Sequence, residues 1–380
     1  MRKDPELESI LNEKGGLYQS DDELELFWGP LRSRFRKHCE FAQQSLYAKS
    51  NRQVEFDFIS NTDINAFAYA SPSGDGEFDF IGINCGSGFF IHTIINRIFA
   101  HPDAFPNWGD AQKERIDYAL LRTLGHDDLI GPIITPKCPI RQALASALFA
   151  TCMDFLFFHE LAHLRNGHLE WLRSTKKTNH FIENNSEEFD ISYSLKRQAL
   201  EMDADSGAMV LTFQHAMFIH SSVVSEVAEQ NARPPSVRNA LNLLYGTPER
   251  CAQTTALASY IFFRIFDKSG WNIFKPDLFM HPEIPLRMHW SATLLWELFN
   301  TEKYVKLGLG NINFLTRVAP VVEQAYGLIQ GITPDPRGIQ SALGDALNLN
   351  IAHLVEVKKA WTLLHPILEI NVRGGKLAPP

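Results

Sequence analysis

The chain has 380 residues, 45% of them hydrophobic and 21% charged, the balance of a globular protein with a substantial buried core, which argues against disorder and fibrous structure. Its formal charge of -8 offers no general attraction to polyanions, so neither nucleic acid nor an anionic membrane surface is an expected partner. The five cysteines, Cys39, Cys85, Cys138, Cys152 and Cys251, are scattered, odd in number and without a CxxC pair, which fits a reducing cytoplasm and not a disulfide framework.

The N-terminus is charged from Arg2 onward and lacks the apolar stretch of a secretory signal. Helical patterns follow at Pro5 to Glu13 and Asp22 to Ala48, the second with a kink or break expected near Gly29-Pro30. The period then changes. Val54 to Ile59, Asn65 to Ala70 and Phe78 to Ile83 read as strands of a small sheet, with hairpin-turn chemistry in Ser71 to Gly76. Helices resume at about Phe89 to Phe99 and Ala111 to Leu124, and a proline-containing loop leads to a helix from Arg141 to about Asn166. The apolar run Ala143 to Met153 is interrupted by Asp154 and falls short of the roughly 18 residues of a membrane span, so it reads as a buried helix.

Ser174 to Lys196 is polar and reads as a surface loop or lid. The next helix carries Glu201 and Asp205, and from about Ser222 onward the patterns are mostly helical, with prolines such as Pro234, Pro248, Pro320 and Pro334 marking breaks. The organisation expected is N-terminal helices over residues 1–50, a core over 51–300 and a helical extension over 301–380 without a chemical signature. The fold class is α+β, mostly helical around a small mixed sheet.

His159-Glu160-Leu161-Ala162-His163 is an HExxH pattern inside the long apolar helix. Four-residue spacing puts both imidazoles on one helix face, about 6 Å apart at Cβ, a geometry that chelates one Zn²⁺ while the adjacent Glu160 takes a proton from water. The alternative is a core helix whose histidines are satisfied by hydrogen bonds. It would bury two histidines and a carboxylate with no compensating metal, at considerable cost.

A catalytic zinc needs a third protein ligand and an open position. His168 follows Gly167, but the metzincin pattern would place Gly at Asn166 and His at Leu169, so His168 reads better as a helix C-terminal residue. Glu201 is the stronger candidate. Asp205, one turn on, is placed to hold the outward nitrogen of a ligand histidine. Against this stands an exposed acidic helix face, with Arg197 pairing to Glu201. Small Ala204, Gly207 and Ala208 suggest close packing there.

The segments HELAHLRNGH and RQALEMDADSGA resemble the HExxHxxxxH and RxxxExxxAD signatures of gluzincin metallopeptidases of the CAAX prenyl endopeptidase and HtpX-like kind. Asn65-Ala66-Phe67-Ala68 resembles their NAF edge-strand motif, and His281-Pro282 with Arg287 resembles their downstream HP…R element. The resemblance implies a zincin-like core holding one Zn²⁺ on His159, His163 and Glu201, with Glu160 as base and Asp205 orienting a ligand. It further implies His281 and Arg287 as electrophilic helpers, and Asn65 and Ala66 as contacts to an extended substrate.

The similarity runs roughly from residue 54 to 295. Those families are typically embedded in membranes, so their substrates do not carry over to a chain without an expected span. A looser resemblance is to phage-exclusion peptidases of the Lit type, cytosolic HExxH enzymes that act when triggered. The function expected is zinc-dependent hydrolysis of peptide bonds in a protein substrate, as an endopeptidase. Two alternatives stay open: a zincin-like sensor or interaction module with a structural zinc closed by His168 or His180, and an effector peptidase gated by the loop Ser174 to Lys196.

Overall fold

The computed structural model describes residues 4–47, 52–72, 77–114, 120, 122–124, 128–130, 134–176, 180–182, 191–229, 233–266, 284–310, 314–334 and 344–380. The architecture is α+β: mostly helical, with one small mixed sheet and a separate two-stranded hairpin.

Helix α1 (Pro5–Glu13) begins where the Asp4 carboxylate accepts the Glu6 and Leu7 N–H groups, and it buries Leu7, Ile10 and Leu11 at helical spacing. Helix α2 (Asp22–Phe41) is capped by Asp21 in the same way and runs through Pro30. Of the kink or break expected at Gly29-Pro30, the break does not occur: the helix continues to Phe41. Burial of Trp28, Leu31 and Phe35 stabilises the helix on both sides of the proline, and tertiary packing outweighs local propensity. Pro320 is accommodated likewise inside a later helix, between buried Val318 and Val322.

Strands β1 (Gln53–Ile59), β2 (Ala66–Ala70) and β3 (Phe78–Asn84) are joined by β6 (His180–Ile182) in a sheet of order β1-β3-β2-β6. β1 runs parallel to β3, while β2 runs antiparallel to both β3 and β6. Alternation sends Ala66, Ala68, Ile81 and Ile83 into the main core. Phe67, Tyr69, Phe78 and Phe80 face the other way and are covered by Leu7, Ile10 and Leu11 of α1. The expected turn at residues 73–76 lies outside the described residues.

Helix α3 (Cys85–Ala100) follows β3 directly. The described residues of the helix expected over Ala111 to Leu124 are not helical in that way: a 3-10 turn covers Ala111–Lys113, and β4 (Arg122–Leu124) pairs with β5 (Asp128–Ile130). Cross-strand pairing decides there against an ambiguous helical pattern.

At the centre stands α4 (Pro139–Arg165), which packs against α3 and against α6 (Ile191–Glu229), α7 (Pro235–Tyr245) and α8 (Pro248–Phe266). Each fully buried Leu or Phe on it contributes about 1.5–3 kcal/mol. It is the one helix among the described residues long and apolar enough to cross a membrane, and most of that stretch is buried within the protein. Gly167, with φ +78°, ends the run, and α5 (His168–Lys176) starts at once. His168 is therefore the first residue of a new helix, not the last of the old one. The C-terminal third is α9 (Ile284–Phe299), α10 (Glu302–Val305), α11 (Phe314–Gln330) and α12 (Gly344–Glu369), the last packed against α6 and α5.

Candidate metal centre

α4 brings His159 and His163 to one face, as their spacing demands, and α6 brings Glu201 against them. The approach is close because Gly207 has no side chain: a Cβ there would stand 2.9 Å from the Ala162 Cβ. His159 Nε2 and His163 Nε2 are 3.0 Å apart. Glu201 Oε2 lies 3.3 Å from the first and 3.8 Å from the second. All three side chains are fully buried. Glu201 is thus on no exposed acidic face, although Arg197 Nη2 does stand 4.0 Å from its Oε1.

The outward nitrogens are held as well. Asp205 Oδ1 lies 3.0 Å from His159 Nδ1 in an ion-pair approach. Arg287 clamps Asp205, with Nε 2.8 Å from Oδ2 and Nη2 2.7 Å from Oδ1. On the other ring, His163 Nδ1 is 2.9 Å from His168 Nδ1, and His168 Nε2 is 3.1 Å from Asp203 Oδ2.

These contacts order the protons. A carboxylate only accepts, so Asp205 favours the proton on His159 Nδ1, and Asp203 favours one on His168 Nε2. A neutral His168 then accepts at Nδ1, so His163 donates from its own Nδ1. Both Nε2 atoms are left with lone pairs, turned toward each other and toward a carboxylate. Three buried electron-pair donors converging in this way call for a positive centre among them, either a metal ion or a proton shared across the 3.0 Å between the two Nε2 atoms. Two imidazoles and one carboxylate with held outward nitrogens are a donor set that suits Zn²⁺.

No family model, curated protein or solved structure matches the chain. The site therefore rests on its own geometry.

Glu160, between the two histidines, is fully buried. Burial lowers the Lys14 ammonium at the end of α1, while the fields of Glu13, Asp63 and Glu160 work the other way. Lys14 Nζ stands 5.1 Å from the centre of the Phe67 ring. Arg287, expected as a helper at the reacting carbonyl, has Nε and Nη2 on Asp205, which stands between it and His159. His281 lies outside the described residues.

Asn65 and Ala66 lie at the start of β2, next to the stretch Phe67 to Tyr69 that β6 covers. Asn65 exchanges hydrogen bonds with Ser87 through its backbone N–H and carbonyl, and its side-chain oxygen accepts the Ala66 N–H. Ala66 is buried and pairs with Ile83 of β3. β2 is an internal strand, because β6 runs along Phe67 to Tyr69. The expectation of a free edge at β2 is corrected by a three-residue strand supplied from the polar insert.

A second cluster has a different character. His38 Nε2 is 2.9 Å from Asp154 Oδ1, and His215 Nε2 is 3.9 Å from Asp154 Oδ2. Arg34, however, donates to both oxygens of Asp154. Burial alone would raise the Asp154 carboxyl, yet Arg34 and His38 hold it well below the usual carboxylate range. The guanidinium supplies the positive charge there, and a metal would have to compete with it.

Sequence reasoning missed Asp203 and the part played by His168. The signal was the run Glu201-Met202-Asp203-Ala204-Asp205, in which alternate acids occupy different sides of one helix and serve different neighbours.

Proposed function

We propose that the chain is a zinc-dependent peptidase acting on a protein or peptide, with His159, His163 and Glu201 as the metal ligands. The observation that carries the reading is the convergence of three buried electron-pair donors whose outward atoms are fixed by Asp205 and His168. A divalent ion there supplies Lewis acidity, polarising a carbonyl and acidifying water. Glu160 takes the proton from the attacking water and returns it to the leaving amine. The order of ligands along the chain is that of the gluzincins, and a zincin-like core, with α4 beneath the sheet and α6 supplying the carboxylate, belongs to the same proposal. The five cysteines are all free, in keeping with a reducing compartment such as the cytoplasm.

A closed structural site is the weaker reading. His168 meets the far nitrogen of His163, and the three-ligand group contains no fourth protein donor among the described residues. A gated peptidase is favoured by one specific observation. β6 lies where an extended peptide would pair with Phe67 to Tyr69 of β2, so a substrate that pairs there displaces it.

Elemental analysis of wild type beside His163→Ala and Glu201→Ala tests the reading. One zinc per chain, lost in both variants, supports it; equal metal content in all three removes these ligands from the site.

A further inference from the structure

Beyond the metal ligands, the most heavily built feature of the site lies behind His163, and it reaches the C-terminal tail. Asp203 is buried and accepts from every side. Its Oδ2 takes the Asn166 amide at 2.5 Å and lies 3.1 Å from His168 Nε2, while its Oδ1 takes the Ala378 N–H at 2.7 Å. The tail that supplies Ala378 is fastened along its length. The Arg373 N–H donates to the Arg165 carbonyl at 2.8 Å, and the Arg373 guanidinium pairs with Asp79 and Glu170. Trp361 Nε1 donates to the carbonyls of Ala378 and Pro379, both at 3.2 Å.

Two glycines make the path passable. Gly374 has φ +119°, and a Cβ on it would meet the Leu46 carbonyl oxygen at 1.7 Å. A Cβ on Gly375 would meet Asn166 Oδ1 at 2.0 Å. Asn166 is the residue whose amide holds Asp203, so the tail presses on the same small group of polar atoms from two points.

We infer that His168 and Asp203 are positioning residues of the metal centre, and that the C-terminal tail, through Ala378, fixes the Asp203 end of the pair. The inference rests on the metal reading above. Its physical content is the direction of the hydrogen bonds. Asp203, held by Asn166 and Ala378, requires a donor at His168 Nε2; His168 then offers an acceptor to His163 Nδ1; His163 keeps its lone pair at Nε2, facing His159 and Glu201. Without the acceptor at His168, the His163 ring loses the partner that selects its tautomer and its rotation.

The test is Zn²⁺ affinity by chelator competition, with the visible absorption of the Co²⁺-substituted protein as a second readout. His168→Leu is expected to weaken Zn²⁺ by about 10–100-fold and to change the Co²⁺ bands. H168Q, whose side chain has an acceptor oxygen and a donor nitrogen in one group, is expected to recover most of the affinity. Ala378→Pro removes the N–H that reaches Asp203 at a half-buried position beside Met202 and Trp361, adding only two ring carbons there, and is expected to weaken Zn²⁺ by about three- to tenfold.

Wild type that takes up no metal overturns the metal reading, and the positioning with it. Wild type that binds one Zn²⁺, with His168→Leu and Ala378→Pro binding as tightly, overturns the positioning alone. Equal weakening in His168→Leu and H168Q marks a packing role and also overturns it. Should His168→Leu fail to fold, Ala378→Pro and H168Q decide between these outcomes.

Discussion

Arg287 grips Asp205 with Nε and Nη2 at 2.8 and 2.7 Å, and Asp205 in turn stands 3.0 Å from His159 Nδ1. This places Arg287 behind the proposed ligand His159, whereas its position in the HP…R element implies a contact to the reacting oxygen. The two roles make different kinetics. Arg287→Ala is expected to lower zinc affinity by about 10–100-fold and to destabilise the fold by about 3–5 kcal/mol, because Asp205 is left buried without its cation. Chelator competition and a melting curve check this. A loss of about 100-fold or more in kcat at saturating zinc with unchanged affinity is the signature of the other role.

Glu160 is the one buried carboxylate between the two histidines and is assigned no share in holding the metal. Glu160→Gln should therefore retain zinc in full while losing about 100- to 10,000-fold in peptide cleavage. Metal analysis and a turnover assay on the same preparation separate the two effects. A zinc-loaded variant that cleaves normally removes Glu160 as the base.

β6 covers the side of β2 away from β3 along Phe67 to Tyr69. Proline is poorly tolerated inside a paired strand, so Phe181→Pro should weaken this cover by about 1–2 kcal/mol. An equilibrium shift of that size is roughly five- to thirtyfold. Cleavage of an extended peptide should rise by a comparable factor, mainly through KM, while zinc content stays constant. Activity that is unchanged or reduced argues that substrate does not enter by displacing β6.

The Arg34, His38, Asp154 and His215 cluster predicts a pH response unrelated to the metal. Asp154 has its carboxyl depressed in the fold, so its contribution is fully present above the unfolded value of about 3.9 and fades as the pH falls below it. His215 is pushed down by burial from 6.5 to about 4. Between those two values the unfolded chain takes up the proton and the folded chain does not, so stability declines as the pH falls from 6.5 toward 4. Melting temperatures should drop over that window. His215→Phe should make the decline shallower, while Asp154→Asn should cost about 3–5 kcal/mol at neutral pH.

The elements of the site closest to the chemistry were legible because they obey short-range rules. Four-residue spacing on a long apolar pattern places His159 and His163 on one face, and the following helix with Glu201 and Asp205 forms where the composition turns from polar loop to helical period. The α+β class was legible from the switch between period 2 and period 3.6. What escaped depends on distant partners. β2 reads as an edge until residues 180–182, over a hundred positions later, lie beside it. Pro30 reads as a break until Trp28 and Phe35 are seen to be buried. Residues 111–124 read as a helix until Asp128–Ile130 pairs with Arg122–Leu124. The tail reads as inert because backbone groups, such as the Ala378 N–H, leave no mark in a pattern of side chains.

The dependence of Asp203 on Ala378 also has a bearing on timing. During synthesis the ribosome delivers α4 and α6 long before residue 378, and N-terminal regions fold first. A nascent chain can therefore bury His159, His163 and Glu201 while His168 still lacks its final anchor. On the positioning argued above, the centre reaches full metal affinity only after the tail has emerged and docked. A chain caught at that stage would, on the proposed metal reading, hold Zn²⁺ about three- to tenfold less tightly than the folded protein.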